Sequence, residues 1–189
     1  MLILVRHGRT SANAAGLLQG RMDLPLDTVG VTQAEQLGLA FGGVERVISS
    51  PLLRARETAL RISDSIEIDQ RWQEIAYGAY EGRPQSDVPS AEWERWRSDP
   101  DYCVEGGESL AALMERTTAA LLDLANDARE QDIVVVSHVS PIKAAVAWAL
   151  GVGVEISWRS RLDQASVCRI AVGPKGPSLV SFNEVAHLS

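Results

Sequence analysis

The stretch LILVRHG, residues 2–8, decides the fold of this chain. Four apolar residues are followed at once by Arg6, His7 and Gly8, which is the pattern of a buried β-strand that delivers a cation and an imidazole to its carboxyl end. Open α/β sheets bind their ligands at that end of the strands. Gly8 lets the backbone turn sharply and lets a ligand approach closely. The start of the chain therefore predicts an α/β fold with a polar site at the end of its first strand.

A second strand-to-helix junction lies at residues 47–58, which read VISSPLLRARET. The apolar run ends at Ser49, and helix-forming residues follow Pro51. Ser50 is a favoured N-cap and Pro51 a favoured first helical residue, so we expect a helix to begin here. Arg54 then lies about one turn into the helix, close to the end of the strand. Alternatively, Arg54 belongs to a solvated basic face that it shares with neighbouring arginines.

A third junction lies at residues 132–138, which read DIVVVSH. This is another buried strand, it ends at His138, and Pro141 then starts a helix that runs to Leu150. Arginine offers a planar fork of donors that suits phosphate oxygens, and histidine is easily used as a base or nucleophile near neutral pH. Two strands that end in histidine, with two arginines beside strand ends, indicate phosphate chemistry.

The ordered motifs of the chain resemble those of the histidine phosphatase superfamily, which contains the cofactor-dependent phosphoglycerate mutases. Residues 4–10 are similar to the Leu-x-Arg-His-Gly-x-Thr block of that family. Further similar blocks follow in family order at Asn13, Gln19-Gly20, and residues 23–34, 49–59, 74–82, 106–109 and 137–138. Any one of these matches is weak evidence, whereas their common order over most of the chain is specific.

The resemblance implies a role for each matching residue. His7 would be the nucleophile that attacks phosphorus, and Glu74 would protonate the leaving oxygen and then activate water. Arg6, Arg54 and His138 would bind the non-bridging oxygens, over which the charge of the transition state is spread. Further substrate-binding residues would be Asn13, Gln19, Gly20, Tyr77 and Val139. With arginines neutralising the phosphate, we expect neither a metal ion nor another cofactor.

The chain departs from the family pattern after the second histidine, where Val139-Ser140-Pro141 stands in place of the usual glycine. The β-branched Val139 adds bulk beside the expected phosphate site, and Ser140 could compensate by capping the helix or donating to phosphate. This departure leaves room for a catalytically weak phosphate-binding module. His7 and Glu74 argue against that alternative, because binding alone needs neither a nucleophile nor a proton donor.

The reaction type depends on the segment between the Glu74 block and residues 106–109. A phosphoglycerate mutase would carry basic residues there, but Gln85 stands where a lysine is expected, and only Arg95 and Arg97 are cationic near the two tryptophans. We therefore favour a phosphatase for a small phosphorylated metabolite over a mutase. The short lid also resembles those of the broad-specificity and α-ribazole phosphatases of this family.

Four side chains near these motifs have competing interpretations. Trp93 and Trp96, three residues apart, could line an apolar substrate pocket, although such pairs more often only pack. For Glu81, we favour a structural role in a turn. His187 lies close to the end of the sequence, and we expect it to belong to a disordered tail.

Composition excludes several classes of partner. The 189 residues include 18 basic and 25 acidic ones, a net charge of −7, which argues against nucleic acid and anionic membranes. No apolar stretch approaches the roughly 20 residues of a membrane helix, and the apolar start is too short for a signal peptide. Cys103 and Cys168 have no metal or redox spacing, so we expect a cytoplasmic protein with reduced thiols. The sequence allows a homodimer without indicating one.

The alternation of strand and helix patterns predicts a three-layer α/β/α sandwich of the phosphoglycerate mutase-like kind, with a mostly parallel, mixed central sheet. We expect a single domain over residues 1–189, with an irregular, lid-like excursion at about 65–107. The other predicted strands are 45–49, 132–137, 164–172 and 178–184. The first predicted helix is capped by Asp27 or Thr28 and runs to about Phe41. The others cover 51–64, a long stretch opened by Ser109 or Glu108 that runs to about Arg129, and 141–150.

Overall fold

One six-stranded sheet forms the centre of the computed structural model, which describes residues 1–189. Its strands are β1 (Leu2–Arg6), β2 (Arg46–Ser49), β3 (Glu67–Ile68), β4 (Ile133–Ser137), β5 (Val167–Gly173) and β6 (Gly176–Glu184). They lie in the order β3-β2-β4-β1-β5-β6. The first four are mutually parallel, whereas β5 and β6 add an antiparallel hairpin. The predicted mixed, mostly parallel sheet is confirmed.

Helices cover both faces of the sheet. They are α1 (Ser11–Ala14), α2 (Thr28–Phe41), α3 (Leu53–Ile62), α4 (Ser90–Ser98), α5 (Leu110–Leu124), α6 (Asp127–Glu130) and α7 (Val139–Leu150). Residues of α2 and α3 share one apolar core with alternate residues of β1 and β4. Residues of α5, α6 and α7 share the second core with the remaining residues of these two strands. Strands apolar on both faces need two helical layers, which gives the predicted three-layer sandwich. None of the helices is long and apolar enough to cross a lipid bilayer.

The two helices that follow β2 and β4 begin elsewhere than predicted. Helix α3 begins at Leu53 with Leu52 as its N-cap residue, so Ser50 is not the cap. The Ser50 hydroxyl accepts from the backbone N–H of Leu52 and is also bonded to His138. Helix α7 begins at Val139, two residues before the predicted start, with His138 as its N-cap residue. Pro141 fits inside the first turn because the backbone N–H groups of that turn have no partner within the helix.

The segment at residues 65–107 is more ordered than predicted. It contains the short parallel strand β3 at the edge of the sheet, the helix α4, and three 3₁₀ turns. The 3₁₀ turns are Gln70–Trp72, Gly78–Tyr80 and Gln85–Asp87. Trp72 and Trp96 are buried here, so the tryptophans order a segment whose prolines suggested irregular backbone.

Two further expectations were wrong. The predicted long helix after Ser109 is divided at Ala125 and Asn126 into α5 and α6. His187 does not belong to a disordered tail but to a 3₁₀ turn, where its Nε2 lies 2.9 Å from the carbonyl oxygen of Ala165 and its ring packs edge-on against Phe41. Backbone and aromatic contacts made far along the chain hold this end in place.

Candidate active site

The carboxyl ends of β1, β2 and β4 meet at one edge of the sheet, where they bring the candidate residues together. Arg6 pairs in register with Ser137, so that His7 and His138 follow on adjacent strands, with ring centroids 5.1 Å apart. The next residue, Gly8, packs against the backbone of α2, since a Cβ there would lie 2.5 Å from the Gly30 carbonyl oxygen. Close backbone packing therefore requires the glycine that follows His7.

The hydrogen bonds of His7 define its tautomer. Its Nδ1 lies 2.6 Å from the carbonyl oxygen of Gly8, which can only accept, so Nδ1 carries the proton. The unprotonated Nε2 accepts from Nε of Arg54 at 3.2 Å. Burial, and then the positive charges of Arg54 and Arg6, hold the pKa of His7 well below its usual value of 6.5. His7 is therefore neutral at pH 7, and its unprotonated Nε2 lone pair is directed at the Arg54 guanidinium.

Arg54 is a charged donor that the surrounding backbone fixes in place. Its side chain is only 1% exposed, which rules out the solvated basic face. Its Nη1 donates to the carbonyl oxygen of Met22 and its Nη2 to that of Gly20, both at 2.7 Å. Burial lowers the pKa of Arg54 to about 10, so the guanidinium stays protonated at pH 7. Gly20 has a positive φ, and a Cβ there would clash with the Glu81 carboxylate.

Arg6 places a second buried guanidinium at the same strand end. Its Nη1 donates to the carbonyl oxygen of Leu162 at 2.6 Å, and its Nε is buried without a protein partner. Burial lowers the pKa of Arg6, an effect that the charges of Glu74 and Asp163 oppose. A buried charged donor with unused capacity indicates an anionic ligand.

His138 lies behind the other candidates rather than on the surface of the cleft. It is fully buried, its Nε2 lies 2.7 Å from the hydroxyl oxygen of Ser50, and its Nδ1 has no partner. Burial, and then the charges of Arg54 and His7, hold the pKa of His138 well below 6.5, so it is neutral at pH 7. Sequence reasoning interpreted Ser50 as a helix cap and missed this contact.

The Glu74 carboxylate, 7% exposed, lies on the N-terminus of α7. Its Oε1 accepts from the backbone N–H groups of Ile75 at 2.9 Å and Ser140 at 3.1 Å, and its Oε2 accepts from that of Val139 at 3.1 Å. A helix N-terminus has free N–H donors and a positive dipole end, so it stabilises a carboxylate. Because these are backbone donors, the departure from glycine at Val139 leaves the arrangement intact.

One cleft contains nine of the ten predicted site residues, all except His138. Gln19 presents a side-chain amide there whose Oε1 accepts from the Thr10 hydroxyl, while its Nε2 is buried without a partner. Asn13 is fixed through its Oδ1, which accepts from the backbone N–H of Thr10. Burial, and then the charge of Glu74, raise the pKa of Tyr77, so its phenol stays protonated. The cleft thus combines cations with neutral donors.

The structure gives Trp93, Trp96 and Glu81, the lid residues with competing interpretations, three different environments. Trp96 is buried, packs edge-on against Tyr77 and lines a second cavity beside the cleft, whereas Trp93 packs against Trp96 and Trp158 without lining that cavity. Glu81 accepts at Oε1 from the backbone N–H groups of Arg21 and Tyr77, which matches the structural role favoured from the sequence. No group of three or more acidic, histidine or cysteine side chains is arranged to hold a metal ion.

This fold and site define a class, an α/β enzyme of phosphate chemistry with two neutral histidines and two buried arginines close to strand ends. The family model described as histidine phosphatase superfamily (branch 1) matches residues 2–185, and the chain belongs to that superfamily. The family, fold and enzyme class predicted from the sequence are confirmed, and the chain is a histidine phosphatase.

Three relatives and one solved structure illustrate the similarity. Phosphoserine phosphatase 1 of Hydrogenobacter thermophilus is 32% identical, with 99% of this chain and 93% of the relative covered. The adenosylcobalamin/alpha-ribazole phosphatase of Escherichia coli is 31% identical, with 98% and 96% covered. "Probable phosphoglycerate mutase GpmB" of Yersinia pestis is 33% identical, with 88% and 82% covered. A phosphoserine phosphatase mutant from Entamoeba histolytica, solved in complex with phosphoserine, superposes with a TM-score of 0.91 at 29% identity, covering 100% and 98%.

Proposed function

We propose that this protein hydrolyses a small phosphorylated metabolite through a phosphohistidine formed on His7, without a metal ion. The observation that carries the proposal is the state of His7, whose unprotonated Nε2 faces the guanidinium of Arg54 at 3.2 Å. A neutral imidazole beside a fixed cation is arranged for attack on phosphorus. Arg6 and Arg54 supply the positive charge for the phosphate. We also propose that residues 1–189 act as one domain, with residues 65–107 as its lid.

The reaction has two displacements. In the first, Arg54 exchanges its bond to His7 for a phosphate oxygen, and the freed Nε2 lone pair forms a bond to phosphorus. The bond from phosphorus to the ester oxygen breaks, and Glu74, which enters this step in its protonated form, gives its proton to that oxygen. In the second, Glu74 takes a proton from water as the water oxygen attacks phosphorus, and the bond to His7 breaks to release phosphate. Arg6 and Arg54 stabilise the charge on the non-bridging oxygens. His138 adds a further donor when it exchanges its bond to Ser50 for a phosphate oxygen.

The remaining residues of the cleft bind and orient the substrate in this proposal. Gln19 contributes the buried Nε2 that lacks a protein partner. Asn13 contributes its amide and Gly20 a carbonyl that positions Arg54, while Tyr77 and Val139 bound the cleft on the side of Glu74. Two free cysteines and a net charge of −7 support a cytoplasmic enzyme of dissolved metabolites rather than of nucleic acids or membranes.

The first test is phosphate release from p-nitrophenyl phosphate in the presence of EDTA, for the wild type, His7→Ala and His187→Ala. We expect His7→Ala to lower kcat/KM by about 10⁴-fold or more, because the covalent route is lost. The His187→Ala control should retain the wild-type rate. Quenching during turnover should trap an acid-labile, base-stable phosphoprotein in the wild type only. Release that persists in His7→Ala, or that EDTA abolishes, would contradict the proposal.

The second candidate function is a phosphoglycerate mutase, which the name of one relative raises. A phosphoglycerate mutase would carry basic residues in the lid, but the lid of this protein offers the substrate little positive charge. The Arg95 guanidinium lies over the ring of Tyr102 and beside Glu92, and that of Arg97 lies over Trp158. Isomerisation of 3-phosphoglycerate, run alongside hydrolysis, separates the two functions. Isomerisation faster than hydrolysis would make the protein a mutase, and phosphate binding without either reaction would make it a phosphate-binding module.

A further inference from the structure

A second cavity adjoins the cleft and differs from it in chemistry. We call it the side pocket. It shares Tyr77 and Val139 with the cleft but contains neither His7 nor the two buried arginines. Its other walls come from Ile75, Trp96, Leu110 and Trp158, together with Ser140, Lys143 and Ser157. A mainly apolar chamber thus opens beside a polar one.

Glu74 stands at the junction of the two chambers. Its carboxylate belongs to the cleft, yet Oε1 accepts from the N–H groups of Ile75 and Ser140, and both of those residues line the side pocket. The acid that protonates the leaving oxygen must lie next to that oxygen. With phosphate between His7 and Glu74, a leaving group attached to the oxygen next to Glu74 can extend into the side pocket.

The walls of the side pocket favour a flat apolar body. Trp96 is held edge-on by Tyr77, with ring centroids 6.0 Å apart, and Trp93 contacts both Trp96 and Trp158 from behind. Leu110 belongs to the apolar cluster that Trp158 packs against. Aromatic and aliphatic walls held in this way gain most from burying apolar or aromatic ligand surface.

Lys143 is the cationic residue of this otherwise apolar chamber. It lies one turn after Val139 on α7 and is half-buried, and its Nζ donates to the carbonyl oxygen of Ser157 at 2.8 Å. No ion pair of the structure includes it. Burial lowers the pKa of Lys143, an effect that the charge of Glu74 opposes only in part, and an anionic ligand group in contact with the ammonium would remove the cost of burial. Its two remaining N–H donors are available for such a group.

We propose that the side pocket binds a leaving group with an aromatic or apolar body and a carboxylate, which pairs with Lys143. The preferred substrates are then carboxylated aryl phosphates or similarly shaped acidic phosphomonoesters. This inference rests on the proposed function, because it assumes that Glu74 faces the leaving oxygen. Lys143 acts here as a specificity-determining residue, and the phosphate chemistry of the cleft does not depend on it.

The test compares kcat/KM for phenyl phosphate, its meta- and para-carboxylated derivatives and phosphoserine. The value of kcat/KM depends on the steps from the free enzyme and ester to the phosphoenzyme. It therefore reports how well the enzyme recognises the leaving group. The wild type should favour one of the carboxylated aryl esters over phenyl phosphate by about tenfold or more, as for a charge-assisted hydrogen bond. Lys143→Met should abolish that preference and change kcat/KM for phenyl phosphate by less than about threefold. Lys175→Met, which removes the other lysine of the chain from an exposed turn, should retain the preference.

The outcomes separate this inference from the function on which it rests. If phenyl phosphate is hydrolysed but neither carboxylated ester is favoured, the inference is wrong and the phosphatase proposal stands. A Lys143→Met enzyme that loses activity equally on every ester would also contradict it, since that would place Lys143 in the general machinery. Preference for phosphoserine over all aryl esters would identify a small polar leaving group instead. If no ester is hydrolysed, both proposals fall.

Discussion

The cleft and the side pocket differ in the elements and contacts that build them. In the cleft, His7 and Arg6 end a fully buried strand, and Arg54 donates to two backbone carbonyl oxygens. In the side pocket, Trp96 comes from the lid helix α4 and Trp158 from the turn Val154–Arg159. Buried cations tolerate little displacement, whereas apolar walls on helices and turns can change without breaking hydrogen bonds. The difference agrees with the proposed division of roles, in which the cleft performs the chemistry and the side pocket selects the leaving group.

Among the changes that test this comparison, the substitution of Arg54 in the cleft should have the largest effect. Arg54→Met should lower kcat/KM by about 10²- to 10³-fold for all phosphate esters alike, because it removes one charged donor from the transition state. It should also lower the free energy of unfolding by about 1–3 kcal/mol, since the carbonyl groups of Gly20 and Met22 lose their donor.

The matched control is Arg56→Met, two residues along the same helix at an exposed position. This substitution should leave kcat/KM and the free energy of unfolding close to the wild-type values. Steady-state kinetics and denaturant unfolding measure the two effects. If Arg54→Met changes the ratio of kcat/KM for aryl and polar esters from its wild-type value, the two chambers are not separate.

Acid should weaken the protein through the two buried histidines. The pKa values of His7 and His138 are held well below 6.5 in the folded protein, whereas the unfolded chain binds protons at about 6.5. The unfolded state therefore binds more protons as the pH falls below 6.5, and the stability that is present above that pH is progressively lost. The expected slope reaches about 1.4 kcal/mol per pH unit for each histidine.

Urea unfolding at closely spaced pH values between about 7 and about 5.5 measures this slope. His138→Gln removes one of the two groups and should reduce the slope by about half. Stability that does not change over this range would contradict the buried, neutral state of both imidazoles.

The smallest expected effect tests the wall that both chambers share. Val139→Gly keeps the backbone N–H that bonds Glu74 but removes apolar surface, so kcat/KM for phenyl phosphate should fall by about tenfold. The value for phosphoserine should change by less than about threefold, since a small polar group gains little from that surface. Equal losses on both esters would instead indicate that Glu74 has moved.

The secondary structure could be predicted where one local pattern decided it. Asp27 and Ser109 cap α2 and α5 as expected, because a side-chain oxygen bonded to a nearby N–H needs no distant partner. Ser50 was misinterpreted because its side chain does have a distant partner. Its local pattern fits a cap, but its hydroxyl is bonded to His138, 88 residues away. The order within residues 65–107 was missed because it depends on tryptophans that pack only in the folded protein.

The sequence by itself determined the α/β layers, the family, and the placement of Arg6, His7 and His138 at strand ends. Apolar periodicity and short motifs are properties of neighbouring residues, so they can be recognised before the chain folds. Tertiary structure alone decided which His7 nitrogen is free, that His138 lies behind the cleft wall, and that Lys143 borders an apolar chamber. Each of these depends on atoms brought together from distant parts of the chain, such as the Leu162 carbonyl that holds Arg6. Burial and partner choice are properties of the packed protein, because only packing removes water from these groups.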